Sequence, residues 1–196
     1  MPAPKILVMA GSLRTGSSNA RLAALASKEL TLAEGDVTRV SFADYPLPIF
    51  DADLLSEGMP LPAAELRKMV TAHHGIFIAS PEYSASVSPL IKNAIDWLSR
   101  PRDKGEASYT VFKNRAFALG SASPGGAGGI RGLMALRQVL ELGCGALVLP
   151  EQVAVGRSAQ AFDDRDNLVD ENLAAALKNV ARRLVEMASY MGRGAA

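Results

Sequence analysis

Cysteine is nearly absent. Cys144 is the only one in 196 residues, so the chain forms no internal disulfide and no cysteine-rich metal site. Histidine is almost as scarce, with two neighbours, His73 and His74. An excess of charge of one sign is also missing. The formal net charge is +1, which gives no electrostatic case for nucleic acid or an anionic membrane as partner. No apolar run approaches the roughly 20 residues of a membrane helix. The opening "MPAPKILVMAGS" turns polar too soon for a signal peptide. Internal repeats and low-complexity linkers are absent. These features predict a soluble cytoplasmic protein in a reducing compartment. Its 48% hydrophobic content suits one domain, 1–196, with a core that needs no staples.

What is present is a recurring unit of short apolar strand, loop and helix. Ile6–Ala10 reads as a buried strand, followed by a helix over Ser18–Leu32. Val37–Phe42 is a more polar strand, and the proline-broken "YPLPIFDAD" reads as irregular. A helix near Pro62–Ala72, the strand "GIFIAS" and the helix "SPLIKNAIDWLSR" come next. "RAFALGS" is a fourth strand, Gly128–Leu142 a helix, and "GALVLP" a fifth strand. The terminal helix, Asp170–Met191, spaces Leu173, Leu177, Val180, Leu184, Met187 and Met191 by alternating fours and threes. This alternation predicts an α/β protein with a five-stranded parallel sheet and helices on both faces, a three-layer sandwich. Five strands suggest the order 2-1-3-4-5.

In a parallel sheet, ligands bind beyond the carboxyl ends of the strands, at the switch point. Three loops follow the adjacent strands 1, 3 and 4: "GSLRTGSSN", "SPEYSASVSP" and "GSASPGGAGG". All are rich in Ser, Gly and Pro, and the strand order makes them converge. The first has P-loop glycine spacing, but Ser17 stands where that motif has lysine, so triphosphate hydrolysis is disfavoured. Gly11 lets the backbone approach a ligand, and the following helix offers free N–H groups and a positive dipole end. Ser12, Ser17 and Asn19 add donors and Arg14 adds charge, which suits a phosphomonoester. The competing reading is that Ser17 or Asn19 only caps the helix. A dinucleotide site is disfavoured: no G-x-G-x-x-G follows the first strand, and the run from Gly126 meets Arg131 where the last glycine belongs. A phosphatase loop fails because the only cysteine is distant. In the second loop, Tyr83 either covers a flat ring or packs on its own loop. Glu82 is either a catalytic acid or a hydrogen-bonding group.

These residues resemble the NADPH-dependent FMN reductase family, which includes bacterial chromate and quinone reductases and related azoreductases. The pattern G-S-x-R-x-x-S-x-N matches Gly11, Ser12, Arg14, Ser17 and Asn19. The pattern P-E-Y-N-x-S-x-x-x-x-x-K-N-A-I-D-W matches Pro81, Glu82, Tyr83, Ser86, Lys92, Asn93, Ala94, Ile95, Asp96 and Trp97, with Ser84 in place of the asparagine. "GSASPGGAGGIRG" looks like the third flavin loop. The resemblance spans about Lys5 to Pro150 and implies a flavodoxin-like fold. It implies that Ser12, Arg14, Ser17, Ser18 and Asn19 hold the FMN phosphate. Pro81, Glu82, Tyr83, Ser84 and Ser86 would follow the ribityl chain and ring, and Ser121, Ser123, Gly125 and Gly126 would border the ring.

The implied chemistry is hydride transfer from NADPH to flavin N5 and onward to a small acceptor (quinone, azo compound, chromate or flavin) by a ping-pong scheme. No side chain then acts as catalyst and no metal is needed. His73 and His74 read as structural, and Cys144 as an inert small hydrophobe. The alternative is a non-catalytic or one-electron FMN carrier or regulator of flavodoxin type; such carriers are usually strongly acidic, unlike this chain. The family also implies a homodimer or homotetramer. On a helical wheel, Leu90, Ile91, Ala94, Ile95, Trp97 and Leu98 cover an arc of roughly 160°, wide enough to pack on the sheet and leave Trp97 for a partner; the competing reading is a deeply buried helix of a monomer.

Overall fold

A strand made of continuous apolar residues has to be covered on both faces, and Lys5–Ala10 (β1) is. In the computed structural model, which describes residues 2–100 and 105–193, β1 lies inside a parallel sheet. The other long strands are Asp36–Val40 (β2), Gly75–Ala79 (β3), Ala116–Ala122 (β6) and Leu147–Val155 (β7). Their order is β2-β1-β3-β6-β7, the flavodoxin-like 2-1-3-4-5 of the five long strands in chain order. Two short strands, Glu82–Tyr83 (β4) and Ser86–Val87 (β5), form a separate antiparallel hairpin.

Successive side chains on a strand point to opposite faces, and the core divides accordingly. Ile6, Val8, Phe77 and Ala118 pack with helices Ser18–Leu32 (α1) and Glu171–Arg193 (α6). Leu7, Met9, Ile76, Ile78 and Phe117 pack with Leu61–Thr71 (α3), Pro89–Leu98 (α4) and Ile130–Gln138 (α5). This is the three-layer arrangement the sequence predicts.

Several bounds differ for local reasons. The second strand stops at Val40, because Ser41 accepts from the Ala43 amide and starts a 3-10 turn, Phe42–Asp44, that tucks Phe42 into the core. The stretch read as irregular holds no helix or strand from Tyr45 to Asp51, and only its last two residues enter a short helix, Ala52–Glu57 (α2), capped by the Asp51 carboxylate on Asp53 N. Gly128 and Gly129 are both left-handed, so α5 starts only at Ile130, and it passes into a π-turn, Val139–Gly143. The fifth strand does not end at Pro150. It runs to Val155 across a register shift: Phe117 opposes Val148, yet Leu119 opposes Gln152. Arg137 caps that shift, donating to Leu149 O at 2.7 Å and Val148 O at 3.4 Å.

Trp97 corrects the partner-facing reading and matches the buried-helix one. It is 0% exposed and unavailable to a partner. Its Nε1 donates to Pro48 O at 2.8 Å, and Phe50 meets its ring edge-on at 5.0 Å. Asn93 holds the same segment, donating to Pro48 O and accepting from Phe50 N, both at 2.8 Å. The "KNAIDW" pattern thus anchors the chain after β2.

His73 Nδ1 donates to Met69 O, and His74 Nδ1 accepts from Lys5 N, both at the amino-terminal edge of the strands. Cys144 is buried, which pushes its thiol up to about 11 and leaves it unreactive at neutral pH. Among the described residues, no cluster of acidic, Cys and His side chains could hold a metal, and no helix is long and apolar enough to cross a membrane.

Candidate functional site

The carboxyl ends of β1, β3 and β6 bring the three loops together around a cleft of about 180 Å³. The first loop leaves β1 at Gly11, whose amide still donates to Ala79 O at 2.8 Å. A Cβ here would lie 2.6 Å from Ile91 Cγ1, so α4 requires glycine where the loop departs. Ser17 N closes back on Arg14 O at 3.0 Å, and α1 begins at Ser18. Ser17 is the N-cap residue, yet its hydroxyl makes no capping bond, and the first turn of α1 holds no acid. The simple capping reading therefore fails for Ser17. The first turn of α1 thus carries neither a side-chain cap nor an acid, and its residues Ser18 and Asn19 line the cleft beside Ser17. Arg14 lines the cleft with its guanidinium folded onto Thr15 O and Gly16 O, both at 3.3 Å.

The second loop is the hairpin β4–β5. Its turn residues Ser84 and Ala85 have φ of 50° and 59°, the pattern of a type I′ turn. That conformation favours Asn and Gly, which gives the family's asparagine a backbone reason as well as a side-chain one. Ala85→Gly is expected to raise stability by about 1 kcal/mol, read as a higher unfolding midpoint, because a methyl group at left-handed φ is strained. Tyr83 is 49% exposed and lines the cleft rather than packing away. Glu82 is no free acid. Arg131 donates to its Oε1 at 2.6 Å and the Gly132 amide to its Oε2 at 3.0 Å. These bonds, the Gly132 amide first, hold its carboxyl below the usual range. They also dock the hairpin on α5, where a Cβ at Gly132 would sit 3.0 Å from Glu82 Cα.

The third loop is fixed from behind by the chain after β7. Ser123 N donates to Val155 O at 2.9 Å, Ser158 N to Ser123 O at 3.1 Å, and Arg157 N to Gly125 O at 3.3 Å. Gly156 fits only because it has no Cβ, which would fall 2.5 Å from Gly126 O.

Of the residues singled out in the sequence, Ser12, Arg14, Ser17, Ser18, Asn19, Pro81, Glu82, Tyr83 and Ser123 line the cleft. Five do not. Ser84 sits at the hairpin tip and Ser86 opposite Tyr83, with Ser86 O against Gly132. Gly125 and Gly126 belong to the loop above Ser123. Ser121 is 0% exposed, with its hydroxyl unpartnered beneath Gly129. Asn19 differs too: its amide is taken up by Ala122, as described below. Ser158 was missed. It lines the cleft and accepts from the Ser18 hydroxyl at 3.1 Å, but nothing in "VGRSAQ" marks it locally.

The donor set fits one phosphomonoester. It offers a bare helix end, the Ser17 hydroxyl and an arginine, and the one lining carboxylate, Glu82, is already paired. Residues 4–160 match the family described as NADPH-dependent FMN reductase. A probable NADPH:quinone oxidoreductase of Oryza sativa is 33% identical over 90% of this chain and 84% of its own length. An NAD(P)H-dependent FMN reductase of Pseudomonas aeruginosa is 33% identical over 85% of each chain. A flavoenzyme NAD(P)H:(acceptor) oxidoreductase of Paracoccus denitrificans shares the fold, with a TM-score of 0.79 and 27% identity over 96% of this chain and 98% of its own. The chain belongs to the NADPH-dependent FMN reductase family, oxidoreductases whose flavin is FMN and whose reductant is NADPH.

Proposed function

We propose that the chain reduces quinones and free flavin at the expense of NADPH by a ping-pong scheme, with azo compounds and chromate as further acceptors. The observation that carries the reading is the N-terminus of α1, which lines the cleft with no side-chain cap, no acid in its first turn and an unspent Ser17 hydroxyl. Ser12, Arg14, Ser17 and Ser18 would hold the FMN phosphate. Pro81, Glu82 and Tyr83, with the backbone at Ser84 and Ser86, would line the rest of the flavin, and Ser123, Gly125 and Gly126 its far border. When bound, FMN supplies the two-electron chemistry, taking hydride from NADPH and passing the electrons on. The residues bind and orient. No lining side chain is placed as a general base, since Glu82 is neutralised by Arg131 and the Gly132 amide. Quinones lead among acceptors because the rice relative, and a 37% identical protein of Escherichia coli covering 69% of each chain, are named for that activity.

We further propose that residues 1–196 act as one unit, assembled as a homodimer or homotetramer in the cytoplasm. The lone buried thiol suits a reducing compartment. Arg14→Ala is expected to weaken FMN binding by about 1.5–3 kcal/mol, the range for a charged hydrogen bond. Quenching of FMN fluorescence measures this, and unchanged affinity would remove the phosphate assignment. Anaerobic NADPH should bleach the bound flavin within seconds. A carrier of flavodoxin type would show no such bleaching without a protein partner.

A further inference from the structure

Asn19 sits at the second position of α1, where it caps nothing, and it is only 3% exposed. Its Nδ2 donates to Ala122 O at 2.8 Å and its Oδ1 accepts from Ala122 N at 2.9 Å. The side chain thus imitates a strand backbone and occupies both polar groups of the last residue of β6. Those groups open the third loop, so one amide ties the start of α1 to the start of that loop. Ser18 adds a lighter tie through Ser158, which is itself bonded to Ser123 O.

We propose that Asn19 is a positioning residue: it sets the distance between the phosphate loop and the third loop, so that a single ligand spanning the cleft engages both at once. The proposal rests on the reading of the cleft as the FMN site. A ligand held at two ends gains from the second contact only when the geometry lets both form together. Loss of the brace therefore penalises two-ended ligands and spares one-ended ones. The rival role, a direct bond from the second Nδ2 hydrogen to the phosphate, penalises any phosphate.

Asn19→Ala is accordingly expected to weaken FMN binding about tenfold or more, from two lost bonds to a buried backbone. Riboflavin, which lacks the phosphate, and inorganic phosphate should each change less than about twofold under the same logic. Equal loss for inorganic phosphate and FMN, or no loss for FMN, overturns the role. Absence of FMN binding by the wild type overturns the site reading itself. Asn19→Asp supplies a second test, whether or not the alanine variant folds. Ionised, it cannot donate to Ala122 O; protonated, it restores both bonds. FMN affinity relative to wild type at the same pH should therefore rise as pH falls through the carboxyl's range. A variant whose affinity relative to wild type ignores pH overturns the brace.

Discussion

Truncating Trp97 to alanine is expected to destabilise the protein by about 3–5 kcal/mol, the range for removing a fully buried large aromatic. The indole is 0% exposed and packs against the segment of Pro48 and Phe50. It loses three things at once: packing, the edge contact with Phe50 at 5.0 Å, and the bond to Pro48 O. Asn93 still holds Pro48 O, so that carbonyl is not orphaned. Trp97→Phe separates the terms; keeping most of the bulk and losing the donor, it should cost nearer 1 kcal/mol. Urea unfolding measures both. Because the side chain points inward, oligomeric mass under folding conditions should not change with either variant. A lost oligomer with unchanged stability would restore the partner-facing role read from the helical wheel.

Gly128→Ala is the second large effect, at about 2–5 kcal/mol. Its φ of +65° costs an alanine about 1–2 kcal/mol. The new Cβ would also lie 2.6 Å from Ala154 C and 2.9 Å from Gly156 N, which are backbone atoms that cannot swing aside. Overpacking of that kind adds about 1–3 kcal/mol. The relief available is movement of the third loop away from β7, so FMN affinity should fall together with the unfolding midpoint. Two neighbouring comparisons isolate the causes. Gly16 has φ of +68° with nothing within 4 Å of its Cβ, so Gly16→Ala should show the strain alone. Gly126 has neither positive φ nor a near neighbour, and Gly126→Ala should be close to neutral. Equal effects at all three positions would show that contact with β7 does not set the loop.

The parts of the fold that were legible in the sequence are those whose signal is local. Helix α1 occupies Ser18–Leu32 as expected, because its apolar spacing and its Ser-rich start both lie within the segment. The strand order followed from counting strands, and with it the meeting of three loops. Features decided by distant partners were hidden. The hairpin β4–β5 was missed because Ser84-Ala85 is not a turn pair that sequence alone suggests, and α5 holds it through Glu82 and Gly132. The fifth strand seemed to end at Pro150, since a proline normally stops a ladder; a register shift and Arg137 carry the chain past it. Residue types in the first loop pointed to a phosphate, but not to how each would be spent. Asn19 has the chemistry of a ligand and the position of a brace, and only the proximity of Ala122 tells the two apart.

The irregular course of β7 also bears on how copies of this protein can meet. β7 is an outer strand of the sheet, and a straight outer strand invites a second molecule to add its own strand alongside. Here Pro150 offers no N–H, and the neighbouring carbonyls of Val148 and Leu149 are already engaged by a guanidinium. The break falls within the strand, so no long unbroken row of donors and acceptors is left for a newcomer. At the other margin β2 offers only five residues, Asp36–Val40. Growth of the sheet from molecule to molecule is thus discouraged on both sides, and self-association is left to helices and loops.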